Sequence, residues 1–93
     1  MIKSFNCKET EKIFKGLFSK KMPNDIQKKA LIKLRSINIA KDINDLRIPP
    51  ANHLEKLCAD RKEQYSIRIN DQFRICFEWI DNNALNVEII DYH

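Results

Sequence analysis

The sequence predicts an α+β fold in two layers, with two N-terminal helices packed on one face of a four- to five-stranded, mainly antiparallel sheet. Three observations carry this reading. Apolar residues recur at helical spacing as far as Ile37, then alternate one-on, one-off from Tyr65 onward. Pro49-Pro50 separates the two regimes. Asn/Asp clusters then divide the second regime at hairpin intervals. A chain of 93 residues is expected to form one domain, residues 1–93, around one core.

Lys3 to Phe5 read as a short first strand. Asn6 offers an N-cap oxygen, with Glu9 three residues on at capping-box spacing. Ile13, Phe14, Leu17 and Phe18 then mark an amphipathic helix over residues 7–20. Met22-Pro23-Asn24-Asp25 breaks it and starts a second helix. Ile26, Ala30, Leu34 and Ile37 form the buried stripe of that helix, and Lys28, Lys29 and Arg35 lie off it. Asn44 to Pro50 is a connector, and residues 54–58 offer a further strand. Tyr65, Ile67 and Ile69 define the next strand; Phe73, Ile75, Phe77 and Trp79 the one after; Leu85, Val87 and Ile89 the last. Asn70-Asp71 and Asp81-Asn82-Asn83 supply the turns of an antiparallel meander.

Composition narrows the chemistry. At 43% hydrophobic and 32% charged, the chain has too much apolar surface for a disordered tail. No apolar run approaches the roughly 20 residues of a membrane-spanning helix, and the N-terminus has no signal-peptide core, so a cytoplasmic location is expected. Cys7, Cys58 and Cys76 are odd in number, widely spaced and without a Cys-x-x-Cys pair. That argues against a disulfide framework or a zinc site, for which only His53 and His93 could complete a shell. No metal and no cofactor are expected. With Gly16 as the single glycine, neither a P-loop nor a dinucleotide fingerprint can be written.

Charge is divided along the chain. Residues 1–48 carry twelve Lys/Arg against five Asp/Glu, a net of +7, and residues 49–93 carry five against eight, a net of −3. A basic half points to a polyanionic partner, although lysine-rich solvated helix faces give the same count.

Register sharpens the picture. If odd-numbered residues of the strands face the helices, paired residues must have numbers with an even sum. A three-residue loop, Asn70-Asp71-Gln72, then sets Ile67 opposite Ile75 and Arg68 opposite Arg74 on the uncovered face. Like charges directly across a ladder are destabilising. Either Glu78 and Glu88 neutralise them or they are held for an absent anion.

The same parity puts Tyr92 of the terminal Asp91-Tyr92-His93 on the arginine face. A phenol, an imidazole and two guanidinium groups suit RNA cleavage by the 2′-hydroxyl, which needs a base, an acid and fixed positive charge. A frayed tail is the alternative. Glu55 is either a base or a solvated carboxylate. His53 reads most simply as a surface residue. Cys58 has no histidine close in sequence to activate it as a nucleophile.

Several segments occur in order: Phe5 with Thr10-Glu11, Pro49-Pro50-Ala51-Asn52 with Leu54-Glu55, Asp60-Arg61, the run from Gln64 to Phe77, and Asn86 to His93. Together they resemble the HigB-type killer toxins of the RelE/ParE superfamily over nearly the whole chain. The resemblance implies a RelE-like fold and a type II toxin that cuts mRNA on the ribosome without a metal. It also implies a helix-turn-helix, HigA-type antitoxin that binds the toxin and represses their shared operator DNA. Carried over by position, Arg74 stabilises the phosphate, and Asp91, Tyr92 and His93 form the terminal active-site cluster. Arg61, Lys62 and Arg68 contact RNA backbone, with Glu55 an additional candidate. Cys58-Ala59 departs from the Lys-Gly of many relatives, and Glu55 stands where some have histidine. Two alternatives remain: a same-fold toxin that poisons DNA gyrase, and a non-catalytic module acting with its antitoxin on operator DNA.

Overall fold

The alternating half builds a four-stranded antiparallel sheet in sequence order, with β1 Glu55–Lys56, β2 Gln64–Arg68, β3 Phe73–Ile80 and β4 Asn83–Asp91. The computed structural model describes residues 1–57 and 64–91. Two helices, α1 (Lys8–Phe14) and α2 (Asn24–Ile39), precede two 3-10 turns, Ile43–Arg47 and Pro50–Asn52. The α+β architecture is therefore the expected one, and the connector before the sheet is more ordered than its sequence indicated. Asp42 and Asp45 cap its first turn reciprocally.

The β2–β3 register is the one that parity required. Ile67 pairs with Ile75 and Arg68 with Arg74. The loop Asn70-Asp71-Gln72 fixes it, because Asn70 Oδ1 accepts from the backbone N–H of Gln72 (2.9 Å) and of Phe73 (2.7 Å).

The β3–β4 pairing departs from simple alternation. Ile75 pairs with Ile89 and Cys76 with Glu88, but past a bulge Glu78 pairs with Leu85 and Trp79 with Ala84. Asn86 supplies the extra residue with φ of 52°, the left-handed conformation that asparagine tolerates better than most residues. Leu85, expected to face the helices, is thereby moved to the open face, and Ala84 takes its place in the core. The hairpin turn is Asp81-Asn82, both with positive φ (51° and 61°), which matches the twist of a two-residue loop. Asn83 already belongs to β4.

The N-terminal half also corrects local expectations. Residues 3–5 do not form a strand. Two isolated parallel bridges, Ile2 to Ala84 and Phe5 to Val87, lay this segment along the outer edge of β4. Thr10 continues the cover, its buried hydroxyl accepting from the Ile89 N–H at 2.9 Å. An otherwise open strand edge is thus closed. Asn6 does not cap α1, since its N–H donates to Val87 O and Cys7 occupies the N-cap without a side-chain bond. The expected helix over 7–20 stops at Phe14. Gly16 adopts φ of 82° and donates to Ile13 O, while Leu17 N donates to Lys12 O. This pair of bonds around a left-handed glycine is the Schellman stop.

One apolar cluster joins the layers, with Ile13, Ile26, Ala30, Leu34 and Ile37 from the helices and Ile67, Ile75, Phe77, Val87 and Ile89 from the sheet. Between the helices lies a polar clasp. Buried Ser19 donates its hydroxyl to Glu9 (2.5 Å), while Gln27 exchanges hydrogen bonds with the Ser19 backbone. That hydroxyl bond, opposed by burial and helped by Lys12, holds the Glu9 carboxyl below its ordinary value. Among the described residues no helix is long and apolar enough to cross a membrane.

Two outcomes follow from these contacts. Glu9 has a lower pKa folded than unfolded, so its contribution is complete above the unfolded value and is lost as pH falls through the folded one. Ser19→Ala should raise the Glu9 midpoint in a carboxyl NMR titration, and its stability deficit should shrink on acidification; an unmoved midpoint contradicts the clasp. At the bulge, urea melts should show Asn86→Val costing about 1–2 kcal/mol more than Asn86→Gly, because only glycine accepts the left-handed backbone without penalty.

Candidate functional site

A groove of about 280 Å³ opens on the uncovered face of the sheet, lined by His53, Glu55, Arg68, Asn70, Asp71 and Arg74. Its geometry starts from Arg74, whose side chain β3 directs away from the helices. The residue is only 9% exposed, and a desolvated cation must be held by oxygen atoms. Its Nε donates to Ser66 Oγ at 2.9 Å, and its Nη2 donates to His53 O at 2.6 Å and to Ser66 O at 3.4 Å. The Glu55 carboxylate lies 3.9 Å from Nη1 and is itself largely exposed.

Each anchor is placed by the fold. Ser66 lies on β2, with Arg68 on the same face two residues along. β1 pairs Glu55 directly with Ser66, which brings the carboxylate into line with the guanidinium. His53 follows the second 3-10 turn in a left-handed conformation (φ of 43°) that aims its carbonyl at Arg74. Asn52 fixes that turn from inside. It is 1% exposed, donates to Leu46 O and Ile48 O, and accepts from the Lys33 ammonium.

The opposed arginines are therefore neutralised, but by other groups than the sequence indicated. Arg68 pairs with Asp71 of its own loop, and Arg74 is held by Ser66, the His53 carbonyl and Glu55. Glu78 instead accepts from Asn86. With Glu88, it lines a separate groove of about 310 Å³ that also takes in Cys76 and Gln64.

Of the residues expected at the site, Arg68, Arg74 and Glu55 converge on this groove. Asp91 does not join them. It pairs with Phe73, whereas Arg74 pairs with Ile90, so alternation sets Asp91 on the other face. Its carboxylate accepts from Gln72 Nε2 at 3.0 Å. Arg61, Lys62, Tyr92 and His93, together with Cys58, lie outside the described residues. Sequence reasoning missed Ser66, Asn52 and the His53 carbonyl. Ser66 carried a usable signal as a small hydroxyl on the arginine face of an apolar strand, but a backbone carbonyl and a left-handed turn have no side-chain signature.

A rigid, partly desolvated guanidinium at the floor of an open polar groove is suited to an oxyanion with phosphate geometry. An exposed carboxylate beside it can take a proton, and a second, more exposed arginine can meet a neighbouring anionic group.

Comparison with known proteins identifies the family and the fold. Residues 3–93 match the family model described as the RelE-like toxin of the type II toxin–antitoxin system HigB. Toxin HigB-1 of Vibrio cholerae serotype O1 is 42% identical over 65 residues, which cover 70% of this chain and 68% of that protein. An uncharacterized protein of Haemophilus influenzae is also 42% identical, over 73 residues that cover 78% of this chain and 71% of that protein. Among solved structures, the YoeB-YefM complex from Staphylococcus aureus shares the fold, with a TM-score of 0.58 and 21% identity over 100% of this chain and 98% of that one. The chain belongs to the HigB family of RelE-like toxins from type II toxin–antitoxin systems.

Proposed function

We propose that this toxin is a ribosome-dependent endoribonuclease that inhibits translation by cutting mRNA, with no metal in the reaction. The observation that carries the reading is the Arg74 guanidinium, fixed at the groove floor by Ser66 and the His53 carbonyl, beside an exposed carboxylate and opposite Arg68.

The reaction is a transesterification. A base removes the proton of the ribose 2′-hydroxyl, and that oxygen forms a bond to the adjacent phosphorus. The bond from phosphorus to the 5′-oxygen then breaks, and an acid protonates the leaving oxygen. A 2′,3′-cyclic phosphate and a free 5′-hydroxyl result. Arg74 stabilises the charge that builds on the non-bridging oxygens, and its preset geometry means that little reorganisation accompanies the step. Glu55 is positioned as a proton acceptor. Tyr92 and His93 are assigned the acid and stacking roles, since a histidine titrates near neutrality and a phenol donates or stacks on a base. Arg61, Lys62 and Arg68 are assigned to the RNA backbone. Asp91, whose carboxylate accepts from Gln72, is assigned to holding the hairpin loop beside the terminal cluster.

A HigA-type helix-turn-helix antitoxin is the proposed partner, acting in the bacterial cytoplasm and carrying the complex to operator DNA. The family's type II assignment supports this, as does the solved neighbour's being a complex. Expression of the toxin alone should stop labelled amino-acid incorporation before thymidine incorporation. The reverse order would indicate a gyrase poison, and arrest of neither a co-repressor.

Arg74→Gln should reduce cleavage on programmed ribosomes by about 100–1,000-fold, as for other positioned oxyanion donors. Because Arg74 is buried and hydrogen-bonded, the same change should lower stability by about 1–3 kcal/mol. The assay is therefore run well below the melting temperature. Wild-type cleavage by folded Arg74→Gln contradicts the assignment. Arg68→Gln, whose ion pair with Asp71 is exposed, should change stability by no more than about 1 kcal/mol and cleavage by a smaller factor.

A further inference from the structure

A second groove, of about 360 Å³, is lined by Lys29 and Lys33 of α2, by Ala51, and by Arg68, Asn70 and Asp71 of the hairpin. Arg68, Asn70 and Asp71 also line the groove at Arg74, so the two depressions share a wall and form one basic track. Their floors are linked through two consecutive residues. The Lys33 ammonium donates to Asn52 Oδ1, and the carbonyl of the next residue, His53, holds Arg74.

The lysines stand apart from their counterparts on α1. Lys12 pairs with Glu9 and Lys15 with Glu11, but among the described residues no carboxylate forms an ion pair with Lys29 or Lys33. At a spacing of four residues their like charges repel across one helical turn. Burial, and then Lys29, hold the Lys33 amine below its ordinary value. Its Asn52 partner is a neutral oxygen and returns no charge. Two uncompensated cations, one partly desolvated, in a groove continuous with a phosphate-binding one, are complementary to a further phosphate on the same strand.

We propose that Lys29 and Lys33 form a second phosphate subsite, which takes a backbone phosphate of single-stranded RNA beyond the nucleotide held at Arg74. The proposal rests on the ribonuclease reading and extends it to residues outside the reacting centre. The phosphate can come from the cleaved strand or from ribosomal RNA exposed beside it; the chemistry is the same.

The test measures affinity against KCl concentration for two probes: a 2′-O-methyl RNA decamer by fluorescence anisotropy, and vacant small ribosomal subunits by co-sedimentation. For a single strand, each phosphate contact contributes about 0.7 to the slope of log affinity on log salt, so losing this one subsite in Lys29→Gln/Lys33→Gln should lower the slope by about 0.7. Lys29→Arg/Lys33→Arg should preserve it. Lys28→Gln/Arg35→Gln makes the same charge change on the same helix but outside both basic grooves, and should leave the slope close to wild type. A loss on the decamer assigns the phosphate to the cleaved strand; a loss on the ribosomal subunit alone assigns it to ribosomal RNA. The subsite is overturned if the slope is unchanged on both probes, or if the control pair lowers it equally. The parent reading fails separately, through wild-type cleavage by Arg74→Gln.

Discussion

Removing a guanidinium from water is costly unless its donors are met by oxygen atoms already in place, and Arg74 imposes that condition on one whole face of this toxin. Among the described residues, three pieces of chain contribute to meeting it. The three-residue hairpin loop sets the register that brings Arg74 near Ser66. The short β1 strand delivers Glu55 opposite Ser66. The left-handed turn at His53 supplies a carbonyl from the end of the proline-rich connector. Among the described residues, neutral oxygens provide the close contacts and the Glu55 carboxylate stands at 3.9 Å. The guanidinium is therefore held in a fixed position at the floor of the groove.

The two layers divide the remaining work. Helix packing and the main apolar cluster lie on the opposite face of the sheet, so the groove can carry charge without disturbing the core. The outer edge of β4 is closed by residues 2–5 and by Thr10, and the Asn86 bulge turns Leu85 outward at the far end. On the open face, Arg68 and Arg74 stand at the loop end with Asp71 and Glu55, Glu88 lies level with Cys76, and Glu78 lies beyond it toward the opposite hairpin.

What the sequence made legible was what short-range rules determine. Helical spacing located α2, alternation located β2 and β3, and loop length with parity placed Arg68 opposite Arg74. Errors arose where a single residue's backbone overrode the apolar pattern. Gly16 stopped α1 while Leu17 and Phe18 still continued its periodicity, and both are exposed. Asn86 shifted β4 by one residue, reversing which of Ala84 and Leu85 enters the core. At the site, the arginines and Glu55 were visible as side chains of the right chemistry. Their anchors were not, because Asn52 acts through a buried amide and His53 through a main-chain carbonyl, and Lys33 and Arg74, which donate to them, lie 19 and 21 residues away in sequence.

The groove at Arg74 is proposed to serve phosphoryl transfer started by a ribose hydroxyl. That role is tested most directly with programmed ribosomes carrying mRNA in which only the nucleotide 5′ to the cut lacks its 2′-hydroxyl. The account predicts that cleavage at that position disappears while the toxin still binds the ribosome. It also predicts that the all-ribose message yields a 2′,3′-cyclic phosphate end. Equal cleavage of the deoxy-substituted message would contradict it.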